Sequence, residues 1–294
     1  MSGKPTVIST FAGCGGSSLG YKWAGFEELL AIEWDDNAVE TFKLNFPDVP
    51  IWKRDMREVT GKEILDFTGL KPGELDILDG SPPCQGFSMA RGKRDTSDDR
   101  NDLSYELIRF INELQPKVFV MENVPGMVRG KMRGKFKKLI KALKDTGYNV
   151  KCKMLNSMHY EVPQSRERLI FIGVKHGEPI YPKPLNNIVS VKNAIGRDGY
   201  IEYRANYVDG DVSFRISNFN KPCLTITKKN HWNIQPKTFT AKELKILSSF
   251  PQDFIFKGSF DNQWARIGNA VMPKFMEHIA KTIKIEILEK NEKT

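Results

Sequence analysis

The chain has 294 residues, 40% of them hydrophobic and 28% charged, which is enough apolar material for a sizeable core in one large or two modest domains. Its 45 basic and 36 acidic residues leave a net charge of +9, which favours a polyanionic partner, with nucleic acid as the leading candidate. No apolar run approaches the ~18 residues of a transmembrane helix, so a membrane-spanning protein is excluded.

Residues 1–10 contain neither a long apolar signal core nor an Arg-rich amphipathic leader, so we expect an intracellular, cytoplasmic protein. The cysteines form no CxxC pair and have no histidine at zinc spacing, so neither a disulfide framework nor a metal site is expected. A lone cysteine in a distinctive setting is instead a candidate nucleophile. The four cysteines are Cys14, Cys84, Cys152 and Cys223.

Residues 1–174 alternate between short β-rich runs and helical patterns. This alternation predicts an α/β fold with a doubly wound, mostly parallel sheet. Helical patterns include residues 37–46 and 103–114. The predicted strands are residues 6–10, 29–33, 76–79, 118–121, 150–155 and 169–174.

The first strand runs into the glycine loop FAGCGGSSLG, residues 11–20. Glycines let a backbone turn sharply and approach a ligand beside a helix N-terminus. The loop is not GxGxxG and has no Walker lysine, so by itself it is equally compatible with a simple strand-to-helix turn.

An acidic residue lies at the end of each of the next two units of the predicted α/β fold. Glu33 can accept hydrogen bonds from ribose hydroxyls, and Trp34 beside it can stack on an adenine ring. Asp55, next to Met56, can accept from the adenine amino group. Together with the glycine loop these residues predict an adenosine pocket, and the lack of nicotinamide or triphosphate signals favours S-adenosylmethionine.

The most distinctive stretch is GSPPCQGFS, residues 80–88. Two prolines stiffen the loop and present Cys84 at the carboxyl end of a strand, where active sites of such sheets lie. A structural cysteine would sit among Val, Leu and Ile, so we favour a nucleophile. Further along, ENVP (122–125) ends a strand in an acid, and QSRER (164–168) puts two arginines on one face of extended chain.

Residues 175–236 have a different character, since they are rich in Pro, Gly, Asn and aromatic residues and lack a long helical period. We expect a small irregular domain or large insertion here. The helical pattern returns from residue 240, and residues 273–289 predict a closing helix after the motif GNAVMP (268–273).

In this order, the motifs FAGCGG, EW, the Asp55 segment, PPCQGFS, RNDL, ENV, QSRER and GNAV resemble the cytosine-C5 DNA methyltransferases of bacteria, archaea and phages. The resemblance covers nearly the whole chain. It implies a Rossmann-like catalytic domain of class I S-adenosylmethionine-dependent type at 1–174. It also implies a target recognition domain at 175–236 and a return to the catalytic domain at 237–294.

The resemblance implies methylation at C5 of a flipped-out cytosine in duplex DNA, with S-adenosyl-L-homocysteine as the product. Cys84 adds covalently to C6, Glu122 contacts N3 and the exocyclic amine, and Arg168 donates to O2. Arg166 steadies the cysteine loop or the intermediate, and Asn123 holds that loop. The base that removes the C5 proton is not identified, and water is a candidate.

The same resemblance implies residue sets for cofactor and DNA, and no metal. Residues 85–100 correspond to a loop that closes over the DNA. Expected cofactor contacts are Phe11, Ala12, Gly13, Cys14, Gly15, Gly16, Glu33, Trp34, Asp55, Met56, Pro82, Leu103, Asn269 and Ala270. Expected DNA contacts are Gln85, Ser88, Arg91, Arg129, Arg197, Arg204, Arg215, Lys228 and Lys229.

We expect a monomer in a restriction-modification or epigenetic system, with a separate cognate endonuclease as a candidate partner. A transfer RNA cytosine-C5 methyltransferase is the first alternative, although its usual Cys-Phe-Thr marker reads Cys223-Leu-Thr225 here. A non-catalytic DNA-binding relative is the second, and such proteins lose the nucleophile or the cofactor loop, both of which are retained.

Three departures from the family stand out. Ser9-Thr10 replaces a common aspartate, and Lys237 and Ile246 stand where arginines often brace the recognition domain, so we expect different bracing.

Residues 129–144 carry eight basic residues and no acid. Helical spacing of apolar residues there predicts that most lysines form a solvated helix face, with Arg129, Lys131 and Arg133 as phosphate contacts.

Overall fold

The computed structural model describes residues 3–83, 103–128, 132–204, 214–230 and 232–291. Within these ranges the main sheet has seven strands in the order β3-β2-β1-β4-β5-β7-β6. β1 to β5 pair in parallel, whereas β7 is antiparallel to both of its neighbours. The prediction of a doubly wound, mostly parallel sheet is confirmed. The strands are β1 (Thr6–Thr10), β2 (Glu27–Glu33), β3 (Ile51–Lys53), β4 (Ile77–Gly80), β5 (Val118–Asn123), β6 (Asn149–Asn156) and β7 (Glu167–Val174).

Helices cover both faces of this sheet, because its central strands are apolar on both sides. β2 and β7 each begin two residues before the predicted start. The predicted closing helix is α-helical only as far as Ile283, and a π-helical turn, Lys284–Leu288, follows it. The helices are α1 (Gly16–Trp23), α2 (Asp36–Asn45), α3 (Gly61–Thr68), α4 (Leu103–Leu114), α5 (Arg133–Asp145), α6 (Val191–Ile195), α7 (Ala241–Leu247), α8 (Phe260–Asn269) and α9 (Pro273–Ile283). No helix in the described part of the chain is long and apolar enough to cross a membrane.

Two core clusters flank the sheet. Residues of α9 such as Phe275 and Met276 pack with α1 on one face, while α3, α4 and α5 cover the other. The α1–α9 approach is close, since a Cβ atom on Gly20 would lie 2.7 Å from the Pro273 carbonyl oxygen. Glycine is therefore required at position 20, inside α1, where this helix contacts α9.

The region predicted to be irregular contains a small antiparallel sheet in the order β10-β8-β9. Its strands are only three to five residues long, so period-2 alternation was too brief to detect in the sequence. Ile201 and Ile234 anchor it in a third core cluster together with Phe42 of α2 and Leu244 of α7. The strands are β8 (Tyr200–Arg204), β9 (Phe214–Asn218) and β10 (Asn233–Gln235).

Candidate functional site

A cavity of about 630 Å³ opens at the carboxyl ends of β1, β2, β4 and β5. The strand order reverses between β1 and β4, which is where doubly wound sheets bind ligands. The cavity brings most of the sequence-predicted residues together. Among the expected cofactor contacts, its lining includes Phe11, Ala12, Gly13, Cys14, Gly16, Glu33, Trp34, Asp55, Met56, Pro82, Leu103, Asn269 and Ala270, while Gly15 caps α1 beside it.

The glycine loop forms one wall of the cavity. Gly13 and Gly15 have φ angles of +57° and +92°, a left-handed region that glycine adopts without strain. A Cβ atom on Gly16 would lie 2.2 Å from the Val271 carbonyl oxygen, so only glycine lets this loop pack against the chain after α8.

The carboxylate of Glu33 is held by backbone amides. Its oxygens accept hydrogen bonds from the N–H groups of Gly13, Trp34 and Asp35 at 2.8, 2.8 and 2.9 Å. These bonds tie the end of β2 to the glycine loop and fix the carboxylate at the cavity wall. The indole of Trp34 next to it is 71% exposed, which leaves its face accessible to a planar ligand.

Asp55 lies at the start of a short 3₁₀ turn, Met56–Glu58, and pairs with Arg57. The Arg57 Nη2 atom is 2.5 Å from Asp55 Oδ2, and hydrogen bonds from Arg57 hold the pKa of this carboxyl below its usual range. Asp55 therefore stays ionised. Arg54 and Arg57 also line the cavity, a feature that no sequence motif indicated.

Glu122 and Arg168 form the opposite wall. Glu122 Oε1 and Arg168 Nε lie 2.5 Å apart in an ion pair whose side chains are only 12% and 11% exposed. The contact is ionic rather than an aligned hydrogen bond, because Nε has no hydrogen-bond partner. Because both side chains are largely shielded from water, the attraction between their charges is strong and holds both of them in place. A carboxylate and a guanidinium therefore lie side by side in the cavity wall.

Asn123 follows Glu122 and connects β5 to the proline loop. Its Nδ2 donates to the Pro82 carbonyl at 3.4 Å, and its Oδ1 accepts from the Val124 amide at 2.8 Å. Pro83, the residue directly before Cys84, also lines the cavity. Outside the described residues lie Cys84, Gln85, Ser88, Arg91, Arg129 and Lys131.

Arg166 is 4% exposed and lies behind the ion pair. It donates to the carbonyls of Ile226 and Gly268 at 2.7 and 2.9 Å, and to that of Ala270 at 3.3 Å. Burial, followed by the nearby Arg168 charge, lowers the pKa of Arg166. Two arginines expected to share a face therefore have separate partners, although both line the cavity.

Gln164, which sequence reasoning left without a role, is completely buried beside Arg166. Its Nε2 donates to the Leu247 carbonyl and the Ser248 hydroxyl, and its Oε1 accepts from the Ile226 amide. The segment around it pairs with the chain at Cys223. Gln164 and Arg166 thus connect three segments that are distant in the sequence, at residues 226, 247–248 and 268–270, and hold them together behind the cavity.

Arg197 was expected to contact DNA, but its charge is used inside the protein. Its Nε lies 2.5 Å from Glu243 Oε1, and its guanidinium stacks over Phe219 and Phe239. We therefore remove it from the DNA-contacting set. Arg197 thus braces residues 175–236 against α7 through Glu243 and against the Lys237 carbonyl.

The other basic candidates differ in position. Lys228 lines the cavity, Lys229 is exposed near it, and Arg215 is exposed on β9. The side chain of Arg204 lies outside the described residues. Arg266, an arginine that no motif indicated, lines the cavity and pairs with Asp35 at 2.9 Å.

The described cysteines are poor nucleophiles. Burial raises the pKa of the Cys14 and Cys152 thiols to about 12 and that of Cys223 still further. Thiols with such values are protonated near neutral pH and unreactive. In the part of the chain that is described, no group of His, Cys, Asp or Glu side chains could hold a metal ion.

Comparison with known proteins gives a consistent result. The sequence profile of the C-5 cytosine-specific DNA methylase family matches residues 5–196 and 190–285. The Type II methyltransferase M1.HphI of Haemophilus parahaemolyticus is 33% identical over 95% of this chain and 86% of its own length. M.DdeI of Desulfomicrobium norvegicum is 30% identical over 94% and 88%.

Solved structures agree on the fold. An Escherichia coli prophage protein assigned as a DNA modification methyltransferase superposes with a TM-score of 0.75 at 25% identity, covering 96% of this chain and 99% of that one. Spodoptera frugiperda DNMT2 superposes with a TM-score of 0.71 at 18% identity, covering 96% and 99%.

Proposed function

This chain belongs to the C-5 cytosine-specific DNA methylase family, and from that premise we propose how its cavity carries out the reaction. The protein is a DNA cytosine-5-methyltransferase whose family uses S-adenosylmethionine. The observation that carries the proposal is that one cavity joins an adenosine-type wall at Glu33 and Trp34 to a carboxylate-guanidinium wall at Glu122 and Arg168.

The first wall suits S-adenosylmethionine. The carboxylate of Glu33, fixed by three amides, has lone pairs left for ribose hydroxyls, and the exposed ring of Trp34 can stack on adenine. The carboxylate of Asp55 would accept a hydrogen bond from the adenine amino group, and Met56, Asn269 and Ala270 complete this wall of the cavity. When bound, the cofactor supplies an electrophilic methyl group.

Cys84 is the proposed nucleophile. Its sulfur bonds to C6 of the flipped-out cytosine, and the electron pair of the C5–C6 double bond is then free to take up the methyl group at C5. The C5 proton leaves to a base, the double bond re-forms, and the sulfur–C6 bond breaks. The inert state of Cys14, Cys152 and Cys223 supports this choice of thiol.

Glu122 and Arg168 are proposed to bind the cytosine. A carboxyl group at N3 and the exocyclic amine shares a proton with the ring and stabilises the negative charge that develops on attack. Arg168 donates to O2 while its ion pair with Glu122 keeps both groups oriented. Asn123 and Arg166 are positioning residues, since their bonds go to the proline loop and to backbone carbonyls.

Residues 175–236 are the proposed target recognition domain, with residues 1–174 and 237–294 forming the catalytic domain around it. Lys228, Lys229, Arg215 and Arg204 are the proposed DNA contacts within it. The relatives named Type II methyltransferases support a place in a restriction-modification system. Sequencing of bisulfite-treated DNA after methylation by the purified protein would identify the target sequence.

Trapping tests the covalent route. Duplex DNA with 5-fluorocytosine at the target cannot lose a proton from C5, so the sulfur–C6 bond should persist. We expect a denaturation-resistant protein–DNA adduct with the wild type and with Cys152→Ser, and none with Cys84→Ser. An active wild type that forms no adduct, or an adduct with Cys84→Ser, would contradict the role of Cys84.

A further inference from the structure

Helix α5 has one apolar and one cationic face. Leu139 and Leu143 are buried against the sheet. On the opposite side, exposed cations recur at intervals of four, four and three residues, which aligns them along one line of the helix. We name this line the cationic ridge, and its members are Arg133, Lys137, Lys141 and Lys144.

The ridge is unfavourable for the helix itself. The first turn holds no acidic residue and no side-chain cap, so Arg133 faces the positive end of the helix dipole. Arg133 and Lys137, and Lys137 and Lys141, are like charges four residues apart and repel each other. Among described residues the one carboxylate paired with the ridge is Asp145, 2.6 Å from Lys141.

Two other helices, α3 and α9, balance the charges of their exposed lysines. α3 begins with a capping box between Thr60 and Glu63 and pairs Lys62 with Asp66. In α9, both Lys274 and Lys281 pair with Glu277. An ordinary solvated face would follow this pattern. Within the described residues the ridge does not, so its charge is available to a polyanion outside the protein.

The ridge begins close to the cavity. β5 carries Glu122 and leads through the turn Pro125–Val128 to α5, where Arg133 Nε donates to the Val128 carbonyl at 3.4 Å. From Arg133 to Lys144 the helix rises about 16 Å, since each residue adds ~1.5 Å. Duplex DNA rises about 3.4 Å per base pair, so the ridge spans roughly five base pairs.

We propose that the cationic ridge of α5 binds backbone phosphates of duplex DNA that flanks the target site. The proposal rests on the proposed function, because it takes DNA as the substrate. It assigns to Lys137, Lys141 and Lys144 a role that goes beyond a solvated helix face. Contacts of this kind carry no sequence information and add affinity that depends on DNA length and on salt.

The test compares two triple variants of equal charge. Arg133→Gln/Lys137→Gln/Lys144→Gln removes most of the ridge, keeps the Lys141–Asp145 pair, and retains helix propensity. Lys4→Gln/Lys43→Gln/Lys71→Gln removes three exposed cations that lie outside α5, before β1, on α2 and before β4. Each protein is titrated with duplexes of about 12 and about 40 base pairs that carry the mapped target, at two or more salt concentrations.

The ridge variant should lose about tenfold in affinity for the long duplex and less than twofold for the short one. Its salt slope on the long duplex should become shallower by roughly 2 to 3, about 0.9 for each lost phosphate contact. The control variant should keep the length preference and salt slope of the wild type. Thermal melting should give the ridge variant a Tm at or above that of the wild type.

Several outcomes would overturn the proposal. They are equal losses in both variants, an equal loss on short and long DNA, or a loss confined to structured RNA. Methylation of the short duplex separates this proposal from the proposed function. If the proposed function fails, the wild type does not methylate that duplex, whereas if only the ridge fails, the wild type methylates it and the ridge variant keeps the wild-type length preference.

Discussion

The two walls of the cavity are fixed in different ways. On the wall proposed for the cofactor, Glu33 is held by backbone amides of neighbouring loops, and Asp55 by an arginine two residues away. On the wall proposed for cytosine, Glu122 pairs with Arg168, which is 46 residues distant and on another strand. The first wall is held mainly by hydrogen bonds from backbone amides and the second by an ion pair between side chains of two strands, so mutations on the two should have different consequences.

The largest effect is expected at Glu122. Glu122→Gln removes the proton-sharing carboxyl and the partner of Arg168, so kcat should fall by roughly 10³, within the range for general acid–base and electrostatic groups. Single-turnover methyl transfer with pre-bound cofactor measures this. The affinity for S-adenosylmethionine should change less than threefold. A kcat within fivefold of the wild type would remove Glu122 from the chemistry.

Arg166 tests the wall behind the ion pair. Arg166→Met leaves two buried carbonyls and one partly buried carbonyl without this donor, so the free energy of unfolding should fall by about 3 kcal/mol. Urea unfolding measures the change. Arg215→Met, at an exposed position on β9, should cost less than about 0.5 kcal/mol. Equal effects in the two variants would contradict the bracing role of Arg166.

Substitution of Glu33 should mainly change KM, whereas substitution of Glu122 should mainly change kcat. Glu33→Gln weakens three charge-assisted bonds to amides and the contact to ribose, so the KM for S-adenosylmethionine should rise about 30-fold while kcat falls less than fivefold. Steady-state kinetics with varied cofactor measures both values. If kcat falls and KM stays constant, the division between the two walls is wrong.

Asp79 lies on β4 between the walls and gives a pH signature. Burial raises the pKa of this carboxyl to about 8, and the hydroxyl of Tyr21 donates to it at 3.1 Å. The folded state thus keeps a proton that the unfolded chain releases near pH 4. Stability should therefore fall as pH rises between these values, by up to about 1.4 kcal/mol per pH unit.

Asp79→Asn should remove that slope, leaving the part due to Glu28, whose pKa burial raises to about 7. Urea unfolding at pH 5, 6 and 7 measures the difference. Glu63→Gln is the control, because hydrogen bonding with Arg54 lowers the pKa of Glu63 to about 2 and this carboxyl stays ionised in the folded state throughout that range. Superimposable slopes for Asp79→Asn and the wild type would show that Asp79 is ionised in the folded protein.

The sequence predicted the cofactor wall better than the rest of the site. The glycine loop and Glu33 are local signals at the ends of predicted strands, Asp55 is a local signal at the end of the next unit, and the cavity brings the three together. Leu103–Leu114 and Thr6–Thr10 were predicted with correct bounds because their apolar spacing is regular.

Long-range partners could not be predicted. The ion pair of Arg197 with Glu243 joins residues 46 positions apart, and Gln164 reaches α7 across 83. No local spacing encodes such contacts, since they depend on how the chain packs after each element has formed. For the same reason no motif indicated that Arg54 and Arg57, in the turn after β3, and Arg266, on α8, line the cavity.

The central claim is that this cavity methylates C5 of cytosine in DNA through Cys84. The direct measurement is mass spectrometry of nucleosides from duplex DNA incubated with the enzyme and isotope-labelled S-adenosylmethionine, with transfer RNA as a parallel substrate. We predict labelled 5-methylcytosine from the duplex with the wild type, none with Cys84→Ser, and no label in transfer RNA. Label on another base atom, or full activity of Cys84→Ser, would contradict the claim.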